Sequence, residues 1–191
     1  ISNKIKQYDT DKKRLRLIYA GRLIKRKQVD KVLFALAELK DKYEFEFIII
    51  GEGPEAKNLK SLCEKLNLTN HVSFLGSLKR EAVFKELKNS DVFIMPSKKE
   101  TFGLVYLEAM SQGCITIGSY KTGIDGIIVN GYNGFLVNND DYSTIIKTLE
   151  LIFNLSREEK NQILINTYNT IINLTDSKMA DEYINNIINI K

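Results

Sequence analysis

Four charged side chains stand out because their types and spacing suit the binding of an anion beside hydroxyl groups. Arg22, which follows Gly21, is separated by four residues from Lys27. Further along, Glu100 and Glu108 are separated by seven residues around the start of an apolar helical stretch. Guanidinium and ammonium groups bind phosphate oxygens, whereas carboxylates accept hydrogen bonds from hydroxyls. The sequence therefore predicts an anion site, where Gly21 lets a ligand come close to the backbone.

The glutamates and the neighbouring cations also have plainer interpretations. Lys25 and Arg26, in the same basic stretch, are individually expected to be solvated side chains. Glu100 is placed to cap the helix that follows, because acidic residues stabilise helix N-termini. Glu108 lies within the apolar helix, where a carboxylate is costly to bury unless a ligand hydroxyl or a lysine pairs with it. The two glutamates together, rather than either one alone, favour a functional site.

A glycine turn after the second predicted strand imitates a dinucleotide-binding motif. Residues 51–56 have Gly, Gly and Ala at the motif positions, follow a strand and open a helix. The motif also requires an acidic residue at the end of the next strand, and this sequence has none there. We therefore interpret Glu52 and Pro54 as turn residues, and we keep Gly51 and Gly53 as residues that line the ligand crevice.

Other residue types that often do chemistry are scarce. His71 is the only histidine and precedes the third predicted strand, so we expect it at the amino end of the sheet in a structural role. No group of Cys, His and acidic residues has metal-ligand spacing, and no intrinsic metal or cofactor is expected. Cys63 and Cys114 lie in apolar contexts and are too few for a disulfide framework, which favours a reducing cytosol.

Alternating apolar runs and helical patterns supply the elements that position these residues. They predict an α/β fold with a doubly wound, parallel, six-stranded Rossmann-like sheet followed by C-terminal helices. The strands are expected at residues 15–20, 45–50, 72–75, 92–95, 115–118 and 135–137. The helices are expected at residues 29–40, 55–66, 80–88, 104–112, 142–153, 157–172 and 178–190. With the common strand order 3-2-1-4-5-6, the ligand crevice lies between the loops after the first and fourth strands, which carry Arg22, Lys27 and Glu100.

Composition and charge bound the class of protein. A chain of 191 residues with 43% hydrophobic content is long enough for one domain with a substantial core. No apolar run reaches the roughly 18 residues of a membrane span, so we expect a soluble domain. The net charge of +4 is uneven, because the first 40 residues hold twelve Lys and Arg against four Asp and Glu. Such a basic end suits phosphates, an anionic membrane surface or nucleic acid.

Taken together, these motifs resemble the group 1 (family 4) retaining glycosyltransferases, and the resemblance extends over residues 17–137. The family's Gly-Arg-Leu motif with its following Lys is present, as are its Gly-x-Gly-Pro turn at 51–54 and its Val-x-Phe-Leu-Gly strand at 72–76. A Gly-x-x-Gly-Phe-Leu-Val segment at 131–137 closes the match. The most specific part is residues 100–113, which contains the family's two glutamates. The resemblance identifies the chain as the C-terminal, donor-binding half of a two-Rossmann-domain (GT-B) enzyme.

The resemblance implies a role for each charged residue. Arg22 and Lys27 would bind the diphosphate of a nucleotide sugar and stabilise the leaving nucleoside diphosphate, the role that a metal plays in other transferases. Glu100 would contact the sugar ring, and Glu108 would accept hydrogen bonds from the ribose. The remaining donor-binding residues would act through their backbones near the base, or near the sugar and phosphate. They are Gly76, Ser77 and Leu78 for the base, and Thr101, Phe102, Gly103, Leu104 and Val105 at a helix N-terminus for sugar and phosphate.

The same resemblance implies the organisation of a longer protein, of which this chain, beginning at Ile1 rather than Met, is expected to be a piece. Residues 1–14 would be a basic linker, 15–173 the nucleotide-sugar-binding domain, and 174–191 a C-terminal helix that packs toward a missing N-terminal domain. That domain would hold an acceptor glycan or lipid-linked glycan. A UDP- or GDP-sugar is the expected donor. The expected location is the cytoplasm, with peripheral association at the inner face of the membrane left open.

Some positions depart from the family pattern and leave alternatives open. Gln28 stands where Gly is usual, Ile115 where Pro is usual, and residues 122–126 replace a Gly-Gly loop that shapes the donor pocket in relatives. A non-hydrolysing sugar-nucleotide epimerase or a phosphorylase-like enzyme of the same fold is one alternative. A non-catalytic basic module is another, binding nucleic acid or membrane through residues 1–40. Nucleic acid is not expected, because the aromatics in that stretch are few and two of them, Tyr19 and Phe34, are assigned to core faces.

Overall fold

A parallel sheet organises the chain. The computed structural model describes residue 8, residues 14–101 and residues 103–175, and within them six strands form one sheet. The strands are β1 Leu15–Ala20, β2 Phe45–Ile50, β3 Val72–Gly76, β4 Val92–Ile94, β5 Ile115–Ser119 and β6 Phe135–Val137. Every neighbouring pair is parallel, and the order is β3-β2-β1-β4-β5-β6. The predicted fold class and strand order are confirmed.

Helices cover the sheet. In the described part of the chain they are α1 Val29–Leu39, α2 Ala56–Lys65, α3 Arg80–Lys88, α4 Leu104–Ser111, α5 Ser143–Asn154 and α6 Arg157–Thr175. The helix predicted at 178–190 lies outside the described residues. Helix α1 packs against α2 and α5, whereas α4 packs against α3 and α6. This grouping is expected when right-handed crossovers wind in opposite directions from the middle of a sheet.

The local sequence explains where the central strands stop. Strands β1 and β2 are buried along nearly their whole length, as expected for apolar strands covered on both faces. Strand β4 ends at Ile94, one residue before the predicted end. The Met95 amide still donates to the carbonyl of Ile117 at 3.1 Å, but Pro96 has no N–H with which to continue. The chain therefore leaves the sheet at the point where the polar loop 96–103 begins.

The apolar stripe of α1 faces the core as predicted, with one correction. Val29, Val32, Leu33, Leu36 and Leu39 are all buried. Phe34 is not on the core face, because 39% of its surface is exposed and its ring lies 6.2 Å from that of Tyr142. A helix rotates about 100° per residue, so the residue after Leu33 is carried off the buried stripe.

The Asn- and Ile-rich end of the described chain forms α6, where the sequence predicts a helix at 157–172, and this helix bonds to the rest of the domain. The Thr167 hydroxyl of α6 donates to the carbonyl of Asn133 at 2.8 Å, and the Asn166 amide donates to the carbonyl of Tyr132 at 2.9 Å. The Asn133 amide in turn donates to the carbonyl of Ile127 at 2.9 Å. These bonds fix the long β5–β6 connection against α6.

Candidate functional site

A cleft of about 520 Å³ opens at the carboxyl ends of β1, β2 and β3. The structure brings seven of the predicted site residues into its lining, namely Gly21, Arg22, Lys27, Gly51, Ser77, Leu78 and Val105. These residues come from four separate loops and helices, and they meet because parallel strands end at one edge. The cleft lies at the predicted carboxyl edge of the sheet, but it extends over β2 and β3, and no described residue of the loop 96–103 after β4 lines it.

Backbone hydrogen bonds join the loops that form the floor of this cleft. The Gly21 amide donates to the carbonyl of Ile50 at 2.9 Å, and the Gly51 amide donates to the carbonyl of Gly76 at 2.7 Å. A side-chain Cβ at Gly51 would lie 1.9 Å from the carbonyl oxygen of Gly21. Only glycine, which has no Cβ, fits at this position. Gly53 likewise allows two backbone segments to approach closely, because a Cβ there would lie 2.2 Å from the carbonyl oxygen of Leu23. Gly53 thus packs behind the cleft and does not line it.

Lys27 is the most buried cation of the site. It ends a 3₁₀ turn, Lys25–Lys27, that precedes α1, and its side chain is only 10% exposed. Its Nζ atom contacts the carboxylate of Glu100, whose side chain is 12% exposed, and lies 3.5 Å from Sδ of Met95. A pair this buried is held by its mutual charge, since either ion alone would be strongly disfavoured there. The structure thus joins two predicted residues that are 73 positions apart.

The turn that carries Lys27 is fixed by the loop after β4. The Lys98 amide donates to the carbonyl of Arg26 at 2.8 Å, and the Arg26 guanidinium donates to the carbonyl of Lys99 at 2.8 Å. The Ser97 hydroxyl, which is buried, also lies within 3.2 Å of the Arg26 carbonyl. Arg26 therefore has a structural contact, whereas Lys25 is exposed to solvent. The loop after β1 and the loop after β4 are therefore joined by direct hydrogen bonds.

Arg22 differs from its basic neighbours because its exposed side chain belongs to the cleft. Its carbonyl accepts a hydrogen bond of 3.0 Å from the hydroxyl of Tyr19, a residue that is fully buried in β1. Burial, together with the negative charge of Glu100, raises the pKa of Tyr19, so this hydroxyl keeps its proton and remains a donor. The backbone position of Arg22 is thus set from inside the core.

Gln28 departs from the expected glycine, and the structure shows why glycine is suited to that position. Its backbone has φ of 54° and ψ of 37°, the left-handed region that glycine adopts most easily. The side chain is buried, and its Oε1 atom has no hydrogen-bond partner among the described residues. Gln28 also forms the boundary between the 3₁₀ turn and α1. Sequence comparison with the family pattern was enough to single out this position.

The N-terminus of α4 faces the same edge. Gly103 caps the helix with φ of 55°, and a Cβ there would lie 2.5 Å from the ring of Tyr106. The Tyr106 hydroxyl donates to the carbonyl of Met95 at 2.5 Å beneath the loop. The first amides of a helix have no partner within it, so those of Leu104 and Val105 are available to a ligand. Leu104 is 65% exposed and Thr101 is exposed, whereas Phe102 lies outside the described residues.

Glu108 lies one turn beyond Val105 on α4 and forms an ion pair with Arg80 of α3. The distance is 3.1 Å, and the Arg80 side chain is 76% exposed while that of Glu108 is 27% exposed. The plainer interpretation of Glu108, a salt bridge, is therefore present, although the partner is an arginine and not a lysine. A pair with so exposed a cation contributes little to stability and leaves the carboxylate able to change partner.

Four residues that line the cleft were not assigned to the site from the sequence. Ala20, Ile50 and Val83 supply the apolar part of the cleft, and Glu52 supplies a carboxylate. Ala20 and Ile50 could have been found as the last residues of their strands, where side chains reach the carboxyl edge. Glu52 was interpreted only as a turn residue, and Val83 gave no signal, because its place depends on how α3 packs.

The other predicted residues lie as follows. Gly76 ends β3 and accepts the amide of Gly51 without lining the cleft. His71 lies at the amino end of the sheet, where its Nδ1 is 3.4 Å from the carbonyl oxygen of Phe45. Across the described ranges, no group of three or more His, Cys, Asp or Glu is arranged to hold a metal ion. In the same ranges, none of the helices has the length and apolar character needed to cross a membrane.

The fold and the position of the cleft place the chain among the Rossmann-like α/β domains. Residues 1–170 match the family of glycosyl transferases group 1, and the chain belongs to that family. One similar protein is the N-acetyl-alpha-D-glucosaminyl L-malate synthase of Bacillus anthracis. It is 34% identical over 136 residues, which are 71% of this chain and 35% of that protein. The chain thus spans about a third of the length of that relative.

Solved structures agree with this assignment. The C-terminal domain of the group 1 family protein LpcC from Francisella tularensis has 25% identity and a TM-score of 0.74, over 83% of this chain and 85% of that one. HepE of Anabaena, solved with UDP-glucose, has 21% identity and a TM-score of 0.80, over 92% of this chain and 48% of that one. The fold is that of one Rossmann-like half of a GT-B glycosyltransferase.

Proposed function

We propose that the cleft at β1–β3 binds a nucleoside-diphosphate sugar, and that the longer protein transfers the sugar to an acceptor with retention of configuration. The main support is the buried contact between Lys27 and Glu100 at the meeting point of two loops, beside the exposed guanidinium of Arg22 in the cleft. An ammonium fixed in this way needs no reorganisation when negative charge develops on a leaving group. This is the property required for loss of a nucleoside diphosphate.

The residues divide the cleft into regions for the parts of the donor. Arg22 and Lys27 would bind the diphosphate, and Glu100 would contact the sugar ring while it orients Lys27. The backbone amides of α4, from Thr101 to Val105, would complete the sugar and phosphate site. Glu108 would exchange its exposed Arg80 partner for the ribose hydroxyls. Ser77 and Leu78 line the far side of the cleft, where a base would lie.

The class of donor follows from charge and from a similar fold. Two cations in one cleft fit a diphosphate better than a neutral sugar. HepE, which shares the fold, has been solved with UDP and glucose and with UDP-glucose. UDP- or GDP-sugars are therefore the donors that we would test first.

A calorimetric titration of the chain with UDP-, GDP- and ADP-sugars tests this proposal. Arg22→Ala should weaken binding of the best donor about tenfold or more, because a charge-assisted hydrogen bond to phosphate contributes about 1.5–3 kcal/mol. Lys25→Ala is the matched control, since it removes a cation from the same loop that does not line the cleft, and its affinity should stay within about twofold. Absence of binding by all three donors, or equal affinities for the two variants, would contradict the proposal.

Activity belongs to the longer protein in this proposal. The acceptor, a glycan or a lipid-linked glycan, would be held by an N-terminal domain, with or without peripheral contact to a membrane. The chain by itself should then bind donor and transfer sugar only weakly, because the acceptor is not positioned beside it.

A further inference from the structure

Glu52 is the one acidic side chain among the described residues that line the proposed donor cleft. It is exposed to solvent, and the roles proposed above do not use it. In the described parts of the chain its carboxylate takes part in no salt bridge. Its backbone is fixed, because its carbonyl accepts the Leu23 amide at 2.8 Å. The cleft thus receives a carboxylate from a rigid turn.

The side chain of Glu52 is directed toward the end of β3. Its Oε1 atom lies 3.7 Å from the position that a Cβ would take at Gly76, so it reaches from the turn after β2 to the next strand. Arg22 and Lys27 belong to the loop after β1, which neighbours β2 on the side away from β3. The two cations and the carboxylate therefore enter the cleft from opposite sides of β2.

The other residues at the β3 end suit a flat aromatic ring. Leu78 and Val83 line the cleft there, and both are partly buried against the core. Apolar side chains pack against the faces of such a ring, while the polar groups at its edge need hydrogen-bond partners. An ionised carboxylate supplies acceptors and no donor. This end of the cleft therefore fits a base whose edge presents an N–H group.

Nucleobases differ in whether the ring nitrogen at that edge carries a hydrogen. Uracil has an N–H at N3, and guanine has one at N1 beside its amino group. Cytosine and adenine have an unprotonated ring nitrogen at the corresponding position, and this nitrogen is an acceptor. A carboxylate bonds to the first pair and repels the ring nitrogen of the second. Because a charged group left without its hydrogen bond costs affinity, such a contact is selective.

We propose that Glu52 selects the base of the donor by accepting the ring N–H of uracil or guanine, so that the cleft rejects cytosine and adenine. The proposal rests on the proposed function of the cleft as a nucleotide-sugar site. Arg22 and Lys27 hold the diphosphate, the base lies against Leu78 and Val83, and its edge meets the carboxylate. The cations bind any nucleoside diphosphate, and Glu52 decides which base is accepted.

Calorimetric titration of the chain with UDP and with CDP tests the proposal. The two nucleotides share the ribose and the diphosphate, and their rings have the same size and differ only at N3 and at the neighbouring exocyclic group. The chain should bind UDP about tenfold or more tightly than CDP, as expected for one charge-assisted hydrogen bond. Glu52→Gln should bring the two affinities to within about threefold, because an amide offers both a donor and an acceptor.

The control variant is Glu55→Gln, which removes a carboxylate from the same turn region that lines a different pocket. It should keep the preference for UDP. A chain that does not prefer UDP to CDP, or a preference that persists in Glu52→Gln, would overturn the proposal.

Arg22→Ala distinguishes failure of this proposal from failure of the proposed function. If UDP and CDP bind equally and Arg22→Ala weakens both, the cleft binds nucleotides and only the role of Glu52 is wrong. If neither nucleotide binds, the donor site is wrong and the role of Glu52 is wrong with it.

Discussion

At the scale of single residues, Lys27 and Glu100 combine a structural and a proposed chemical role. Both side chains are about nine-tenths buried, and each is the other's counter-ion. Taking either charge out of water is costly, and the Coulomb attraction offsets that cost only while both partners are present. The site is therefore sensitive to the loss of one partner in a way that an exposed pair such as Glu108 with Arg80 is not.

This dependence predicts the outcome of single and double substitutions. Lys27→Met or Glu100→Leu alone should lower the free energy of unfolding by about 3–5 kcal/mol, because an unpaired charge remains buried. The double variant should recover most of that loss, since apolar side chains of similar volume replace both charges. Urea unfolding of the three variants measures the effect. If the two single losses simply add in the double variant, the buried pair is not what stabilises this loop.

At the scale of elements, the loops after β1 and β2 touch through their backbones. Gly51 makes this possible, because any Cβ at that position would overlap the carbonyl oxygen of Gly21. The amides on either side of Arg22, those of Gly21 and Leu23, donate to the carbonyls of Ile50 and Glu52 and so hold the Arg22 backbone beside the end of β2. The turn that imitates a dinucleotide motif thus supports the cleft floor.

Gly51→Ala should be far more damaging than a comparable change at Gly131. Both glycines have positive φ, 131° at Gly51 and 78° at Gly131, but apart from the chain neighbours no atom of the described residues lies within 4 Å of a Cβ at Gly131. Gly131→Ala should therefore cost only the backbone strain, about 1–2 kcal/mol. Gly51→Ala adds a backbone clash and should cost at least about 4 kcal/mol or prevent folding. Thermal unfolding of both variants gives the comparison, and similar losses would show that the close approach of the two loops is unimportant.

At the scale of the whole molecule, Tyr8 joins helix α6 to the amino edge of the sheet. Its hydroxyl donates to the carbonyl of Asp91 at 2.6 Å, and its amide donates to Oδ1 of Asn161 in α6 at 3.0 Å. The side chain is 5% exposed, and Nζ of Lys160 lies 5.9 Å from the ring centre. Burial, followed by the charge of Asp91, raises the pKa of Tyr8, and burial likewise raises the pKa values of Tyr19 and Tyr106.

These raised pKa values predict that the fold loses stability in alkali. The stability that each buried neutral tyrosine contributes is complete below its ordinary pKa of 10.0 and is lost as the pH rises through the higher value in the folded state. Urea unfolding at about pH 8 and about pH 11 should therefore show a fall in the free energy of unfolding. Tyr8→Phe should lose about 1 kcal/mol at the lower pH, from its hydrogen bond, and should fall less steeply with pH. Tyr132→Phe, at an exposed tyrosine, is the control and should keep the parent slope; an unchanged slope in Tyr8→Phe would contradict the prediction.

The sequence by itself determined the fold class, the strand order and the loops where the charged residues gather. Apolar runs and helical stripes are local patterns, and parallel strands with helical crossovers admit few arrangements, so Arg22, Lys27 and Glu100 could be placed at one edge. Tertiary structure decided which of these residues touch. The contact between Lys27 and Glu100, the pairing of Glu108 with Arg80, and the presence of Glu52 and Val83 in the cleft depend on how separate loops and helices pack. These contacts could not be predicted, because side chains distant in sequence meet only when the sheet has formed.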